Sequence, residues 1–146
     1  YKESIDAVAS GILNGDLNAI SYFSGRDPAF AVIGDLIAGW DTPEQLQAYC
    51  MTGGGREMLQ KIYDGTKATA GKIHVIGCSP YSKEALVSKN KITTVAGLKG
   101  VKIRSPEGLA AEVFRLVGAA PSALPFSEVY TSLEKGNFSG NGLNEN

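Results

Sequence analysis

Apolar side chains recur at steps of three and four along much of this chain, and glycine, proline and short extended runs break the pattern into elements. Residues 2–14 put Ile5, Val8, Ala9, Ile12 and Leu13 on one helical face, with Gly15 as the stop. Residues 17–23 read as a short strand that ends at the turn Gly25-Arg26-Asp27-Pro28. Thr42, Pro43 and Gln45 suit a helix start by cap, first position and capping box, so a helix is predicted from there to about residue 51. Gly53, Gly54 and Gly55 then mark a helix–helix junction, and a second helix is predicted over about 56–63.

Residues 72–78 have the apolar bias of a strand, 79–84 form a polar loop, and 85–88 suit a short second strand. One helical turn is predicted at 94–98, then a strand at 101–104 that ends on Arg104. Ser105-Pro106-Glu107 opens a helix to about residue 117, with Leu109, Val113, Phe114 and Val117 on one face and Gly118 as the stop. Residues 123–124 read as extended, and Ser127 as the cap of a last helix over 128–134. Beyond Gly136 an Asn- and Gly-rich irregular tail is expected over 137–146. Strands alternating with helices give an α/β class with a mainly parallel sheet.

Composition narrows the function. The 146 residues suffice for one compact domain, 43% are hydrophobic and 20% charged, and the net charge is -1. That balance offers no electrostatic footprint for nucleic acid or an anionic membrane. No apolar run approaches the ~20 residues of a membrane helix; the longest weakly polar stretch, 29–40, is interrupted by Gly34 and Asp35. The chain opens at Tyr1 and shows no signal-peptide pattern, so its start is read as processed or trimmed. Cys50 and Cys78, without CxxC spacing, are read as two half-buried free thiols, and the single His74 as a strand residue. The glycine triplet lacks the Lys-Ser/Thr sequel of a phosphate loop. No base or nucleophile has a partner and no metal spacing is present, so neither an enzyme, a metal nor a cofactor is expected.

The segment Gly97-Leu98-Lys99-Gly100-Val101-Lys102-Ile103-Arg104-Ser105-Pro106 resembles the signature region of the solute-binding proteins of TRAP transporters, the DctP family. Ala7-Val8-Ala9-Ser10-Gly11, Gly25-Arg26-Asp27-Pro28-Ala29-Phe30 and the stretch from Pro125 through Phe126, Ser127 and Glu128 to Gly136 are similar to it in the same order. The resemblance covers nearly all of residues 1–136. It implies part of a periplasmic binding protein of type II-like fold, with about 1–75 like lobe one and about 76–136 like lobe two. It also implies that the first strand and helix of lobe one, and everything after the first return toward the hinge, are missing. After Gly136 the family continues with a hydrophobic pair and an Asp, where Asn137-Phe138-Ser139-Gly140-Asn141 stands here.

On this resemblance the expected function is periplasmic capture of a small organic acid, a monocarboxylate favoured, for TRAP permease membrane subunits and without chemistry. Arg104 is the expected grip on the carboxylate. A guanidinium matches a carboxylate with two parallel hydrogen bonds, and the end of a strand beside a helix start suits an anion. From position alone an exposed Arg104 paired with Glu107 or water is the alternative. Phe126 is expected either against the ligand or in the core on Val129 or Tyr130. One of Tyr22 and Phe23 is expected to face the cleft, since alternation sends them to opposite sides. Tyr81 and Ser82 lie in a loop where some family members supply a polar contact. An Arg is missing there, which disfavours a ligand with two carboxylates. Glu128 and Thr131 are read as capping and hinge packing, Trp40 as core or hinge, and the lysines at 83, 89, 91, 99 and 102 as a solvated face. The alternative function is a truncated derivative that self-associates through uncovered sheet edges and helix faces, including as a homo-oligomer by domain swapping.

Overall fold

The computed structural model describes the whole chain except Tyr1, Asp35, Ile37, Ser82, Lys83, Phe138, Ser139, Glu145 and Asn146; for Phe126 and residues 140–144 it describes the backbone alone. The expectations for Ser82, Lys83, Phe138 and Ser139 therefore lie outside the described residues. The chain divides into two compact units, Tyr1–Pro80 and Tyr81–Asn146.

The first unit is built from helices α1 (Ser4–Ala9), α2 (Ala29–Gly34), α3 (Pro43–Thr52) and α4 (Gly55–Gly65). Helix α1 stops well before residue 14. Gly11 takes a left-handed φ of 78°, the Ile12 and Leu13 N–H groups turn back to the Ala7 carbonyl, and Ile12 is left 79% exposed. The predicted strand at 17–23 is instead a 3-10 turn, Ile20–Phe23. With three residues per turn, Ile20 and Phe23 stack on one side and both reach the core. That core joins Ile5, Phe23, Phe30, Leu59, Tyr63 and Val75, with Phe30 wholly buried and its ring 5.1 Å from that of Tyr63. Burial pushes the Tyr63 phenol up to about 12.

Helices α3 and α4 meet the sequence expectation. Thr42 Oγ1 accepts from the Gln45 N–H, and Gln45 Oε1 accepts from the Asp41 N–H, one residue earlier than a reciprocal box requires. All three glycines of the triplet have a physical reason: a Cβ on Gly53 would come within 2.9 Å of the Tyr49 backbone. Gly54 carries a φ of 87°, and a Cβ on Gly55 would come within 2.7 Å of the Tyr49 ring. Trp40 is half-buried, outside the core cluster, and its ring lies 5.0 Å from that of Tyr49.

Residues 72–78 alternate as a strand does, with Val75 buried and Ile76 84% exposed, yet they join no ladder. The Gln60 side chain substitutes for a neighbouring strand: Nε2 donates to the Ile73 carbonyl at 2.9 Å and Oε1 accepts from the Val75 N–H at 2.8 Å. His74, placed in a strand by its pattern, therefore sits in an extended but unladdered segment and is exposed. The cysteines are not free. Cys50, at 1% exposure near the end of α3, and Cys78 form a disulfide with Cα atoms 6.2 Å apart. The 28-residue separation carries no motif, which is why spacing did not reveal the pair.

The second unit holds one four-stranded sheet. Its strands are β1 (Glu84–Ser88), β2 (Lys102–Arg104), β3 (Ala120–Ser122) and β4 (Gly140–Asn144), in the order β1-β4-β2-β3. Strand β2 runs parallel to both β3 and β4, and β1 pairs antiparallel with β4. The mainly parallel α/β expectation is met. The irregular-tail expectation is not, since residues 140–144 occupy an inner place in the sheet. Strand β3 lies at an edge, where Pro121 lacks no needed N–H.

Helix α5 (Leu109–Leu116) returns the chain from β2 to β3, and α6 (Val129–Glu134) from β3 to β4. Among the described residues, Ile103, Ala110, Ala111, Ala119 and Val129 are the buried apolar ones of this unit. Helix α5 starts at Leu109, later than Pro106 suggests, because Gly108 turns at a φ of 102°. Neither Ser127 nor Glu128 caps α6 with its side chain; a short 3-10 turn, Phe126–Glu128, leads into it. Lys89, placed on a solvated face by sequence, donates from Nζ to the Leu133 carbonyl at 3.2 Å, a favourable position near a helix C-terminus.

Candidate functional site

Strand β2 is three residues long and ends on Arg104, so the side chain emerges where the sheet gives way to the turn before α5. Ile103, Arg104 and Ser105 are all buried, and Arg104 is only 6% exposed. The reading of Arg104 as a surface residue is thereby set aside. Its Nε donates to the Leu124 carbonyl at 3.1 Å, just beyond β3, which fixes the plane of the guanidinium. Among the described residues Arg104 makes no other hydrogen bond or ion pair, so Nη1 and Nη2 keep their donors.

Arg104 lines a cavity of about 130 Å³ inside the second unit. The other polar positions on its wall are Glu84 at the start of β1 and Ser105. Its apolar side comes from Leu86 of β1, Pro106, and Ala110 and Phe114 of α5. The volume is below the roughly 300–1,000 Å³ of drug-sized sites, which suits a ligand of a few heavy atoms. Chemically the arrangement is one oriented guanidinium fork in a small, mostly apolar recess, a setting that strengthens a charge-assisted bond to an anion.

The other sequence candidates lie elsewhere. Phe23 is 2% exposed and packs edge-on to Phe30 at 6.1 Å in the core of the first unit, so it is taken up by packing and leaves the candidate list. Tyr22 is half-buried in the same 3-10 turn. In the second unit Tyr81 is 46% exposed and precedes β1, outside the cavity wall, while Phe126 opens the turn before α6. Glu84, Leu86 and Ala110 were not singled out from sequence. They come to Arg104 from β1 and α5, and no local pattern announces that convergence. Among the described residues no three His, Cys, Asp or Glu side chains gather as a metal site would need.

The model of the bacterial extracellular solute-binding protein family 7, DctP, matches residues 1–141. The chain belongs to the DctP family. A monocarboxylate 2-oxoacid-binding periplasmic protein of Nostoc sp. is 31% identical over 135 residues, 90% of this chain and 35% of the relative. A TRAP periplasmic solute-binding protein of Rhodobacter sphaeroides, solved open and without ligand, is 43% identical with a TM-score of 0.64, over 99% of this chain and 44% of that one. A TRAP solute-binding protein of Colwellia psychrerythraea, solved with bound calcium and pyruvate, is 28% identical with a TM-score of 0.78, over 97% of this chain and 42% of that one. The DctP chain described here thus spans less than half the length of these relatives. The family and its structural neighbours are transport proteins of the extracytoplasmic space, and the neighbours share the type II-like α/β fold.

Proposed function

We propose that this DctP chain captures a small monocarboxylate, with Arg104 gripping the carboxylate, and that it does so in the periplasm for a TRAP permease without transforming the ligand. The observation that carries the reading is the state of Arg104: buried, held through Nε on the Leu124 carbonyl, and with both terminal nitrogens open in a small recess. The two terminal nitrogens are not fully buried, so an arriving carboxylate can reach them and accept two parallel, charge-assisted bonds. Tyr81 and Phe126, which belong to the same unit as Arg104, remain proposed contributors around the ligand. The Nostoc relative is named for 2-oxo monocarboxylates, and the Colwellia protein was solved with pyruvate, which supports an acid of that size. The Cys50–Cys78 disulfide supports the oxidising compartment independently, since such bonds persist outside the cytosol.

Calorimetry with pyruvate, lactate and propionate tests this directly. The native chain is expected to bind at least one of them, and Arg104→Ala to lose about 1.5–3 kcal/mol, the range for a hydrogen bond to a charged group. Arg104→Lys keeps the charge without the fork and is expected to fall between the two. Equal affinity in the native and Arg104→Ala proteins would remove the grip from Arg104.

A further inference from the structure

We infer that the Asn14–Gly15 peptide is a site of spontaneous covalent modification, at which the asparagine side chain is converted to aspartate and isoaspartate. The reaction needs only water. The Gly15 backbone nitrogen attacks the Asn14 side-chain carbonyl carbon and a C–N bond forms. The N–H proton passes through water to the departing amide, which leaves as ammonia. Water then opens the resulting five-membered imide at either carbonyl, leaving one new carboxylate. Ring closure demands an unshielded backbone amide and an unengaged side chain, and both are present. Asn14 and Gly15 are exposed, outside any helix or strand, between the reversal at Gly11 and the 3-10 turn Ile20–Phe23. Among the described residues neither the Asn14 side chain nor the Gly15 N–H has a hydrogen-bond partner. A Cβ built on Gly15 would meet nothing within 4 Å, so no neighbour blocks the turn of the chain, and glycine has no side chain to shield its nitrogen. The same dipeptide recurs at Asn141–Gly142, but there it lies in β4. Asn141 is in register with Val87 and Arg104, and Gly142 with Leu86, so pairing holds that backbone extended and away from the ring geometry. The product at Asn14 adds one negative charge to a net charge of -1 and sets it two residues from Asp16, whose carboxylate accepts from Ser4 Oγ at 2.6 Å. That bond ties the segment to the first residue of α1, so the new charge and the lengthened backbone of isoaspartate fall beside the tether.

The experiment incubates the folded native chain, the native chain in urea, and Gly15→Ala at mildly alkaline pH. Conversion is followed residue by residue by peptide mapping with mass spectrometry, with circular dichroism to confirm folding. In the folded native chain Asn14 is expected to convert about tenfold or more faster than Asn141, since each ~1.4 kcal/mol needed to open β4 slows the reaction tenfold. In urea that lead is expected to collapse. Gly15→Ala enters open space, so the fold is kept, and the added methyl group is expected to slow conversion at Asn14 several-fold. Equal rates at the two sites in the folded chain overturn the inference, as does conversion of Asn14 only after urea is added. A lead that persists undiminished in urea, or an unaltered rate in Gly15→Ala, overturns it as well.

Discussion

Removing the disulfide is the sharpest perturbation of the first unit. Cys50 ends the buried side of α3, and Cys78 lies in the extended segment after α4, 28 residues on. Cross-linking a loop of that length is worth about 3.6 kcal/mol at 25 °C by the loop-entropy relation, which constrains the unfolded chain more than the folded one. The pair also borders an apolar void of about 30 Å³ between Ile20, Ile33, Leu46 and Leu59. Alanines in place of the sulfur atoms enlarge that void and add to the loss. The double variant Cys50→Ala/Cys78→Ala is therefore expected to lose about 3–4 kcal/mol. In a unit of this size that lowers the melting temperature by on the order of 15 °C or more. The assay is urea denaturation of the native chain, with and without reductant, beside the double variant. Thiols are counted in denaturant before and after reduction. The expectation is that no thiol reacts before reduction and two react afterwards, with reduced native chain and variant weakened alike. Two reactive thiols in unreduced protein made in an oxidising compartment would refute the reasoning, as would a stability change within about 0.5 kcal/mol, the scatter of a neutral surface substitution.

Two further predictions concern the same unit. Gln60→Ala strands the Ile73 carbonyl and the Val75 N–H, so a loss of about 1–3 kcal/mol in urea denaturation and faster hydrogen exchange at Val75 are expected; unaltered exchange there would deny Gln60 its role as a substitute strand. Arg26 grips Asp6 with two bonds, Nη1 to Oδ1 at 2.7 Å and Nη2 to Oδ2 at 2.5 Å, and this hydrogen bonding holds the Asp6 carboxyl below its ordinary range. A lowered folded-state pKa stabilises above the unfolded value and is lost as pH falls through the folded one. Asp6→Asn should thus be less stable than the native chain at neutral pH. The gap should narrow below about pH 3.9 and close once Asp6 itself protonates. Because the pair is partly solvated the gap is small, and salt should shrink it too; a gap that persists unchanged into strong acid would exclude this cause.

Legibility in the sequence followed the range of the interactions. Helices α3 and α4, the turn at Thr94 and strand β2 are specified by neighbours within four residues, and they lie where the pattern puts them. Elements that depend on distant partners were misread. The apolar run at 17–23 has no strand beside it, so it winds into a turn that sends Ile20 and Phe23 inward together. Residues 72–78 keep strand alternation because a glutamine side chain, not a ladder, straightens them. Gly108 delayed α5 by a backbone angle that only the folded chain displays. Of the site, Arg104 was legible through its motif. The burial of its side chain, the Leu124 anchor and the approach of Glu84 come from residues about 20 positions away on either side, beyond any local signal.

The inner position of β4 has a consequence for how the second unit comes into being. A ribosome releases β1 first and β4 last, and β1 pairs with β4 across its five residues. Until residues 140–144 emerge, β1 has no neighbour in the order β1-β4-β2-β3, and only the β2–β3 pairing can form ahead of it. Sheet closure must wait for a loop of about fifty residues, an entropic cost that places it late. The core cluster of the first unit draws on no residue beyond Val75 and can form while the second unit is still being made. A premature stop before residue 140 would therefore remove more than one strand: it would separate the sheet at its seam and leave Glu84 detached from the wall it shares with Arg104.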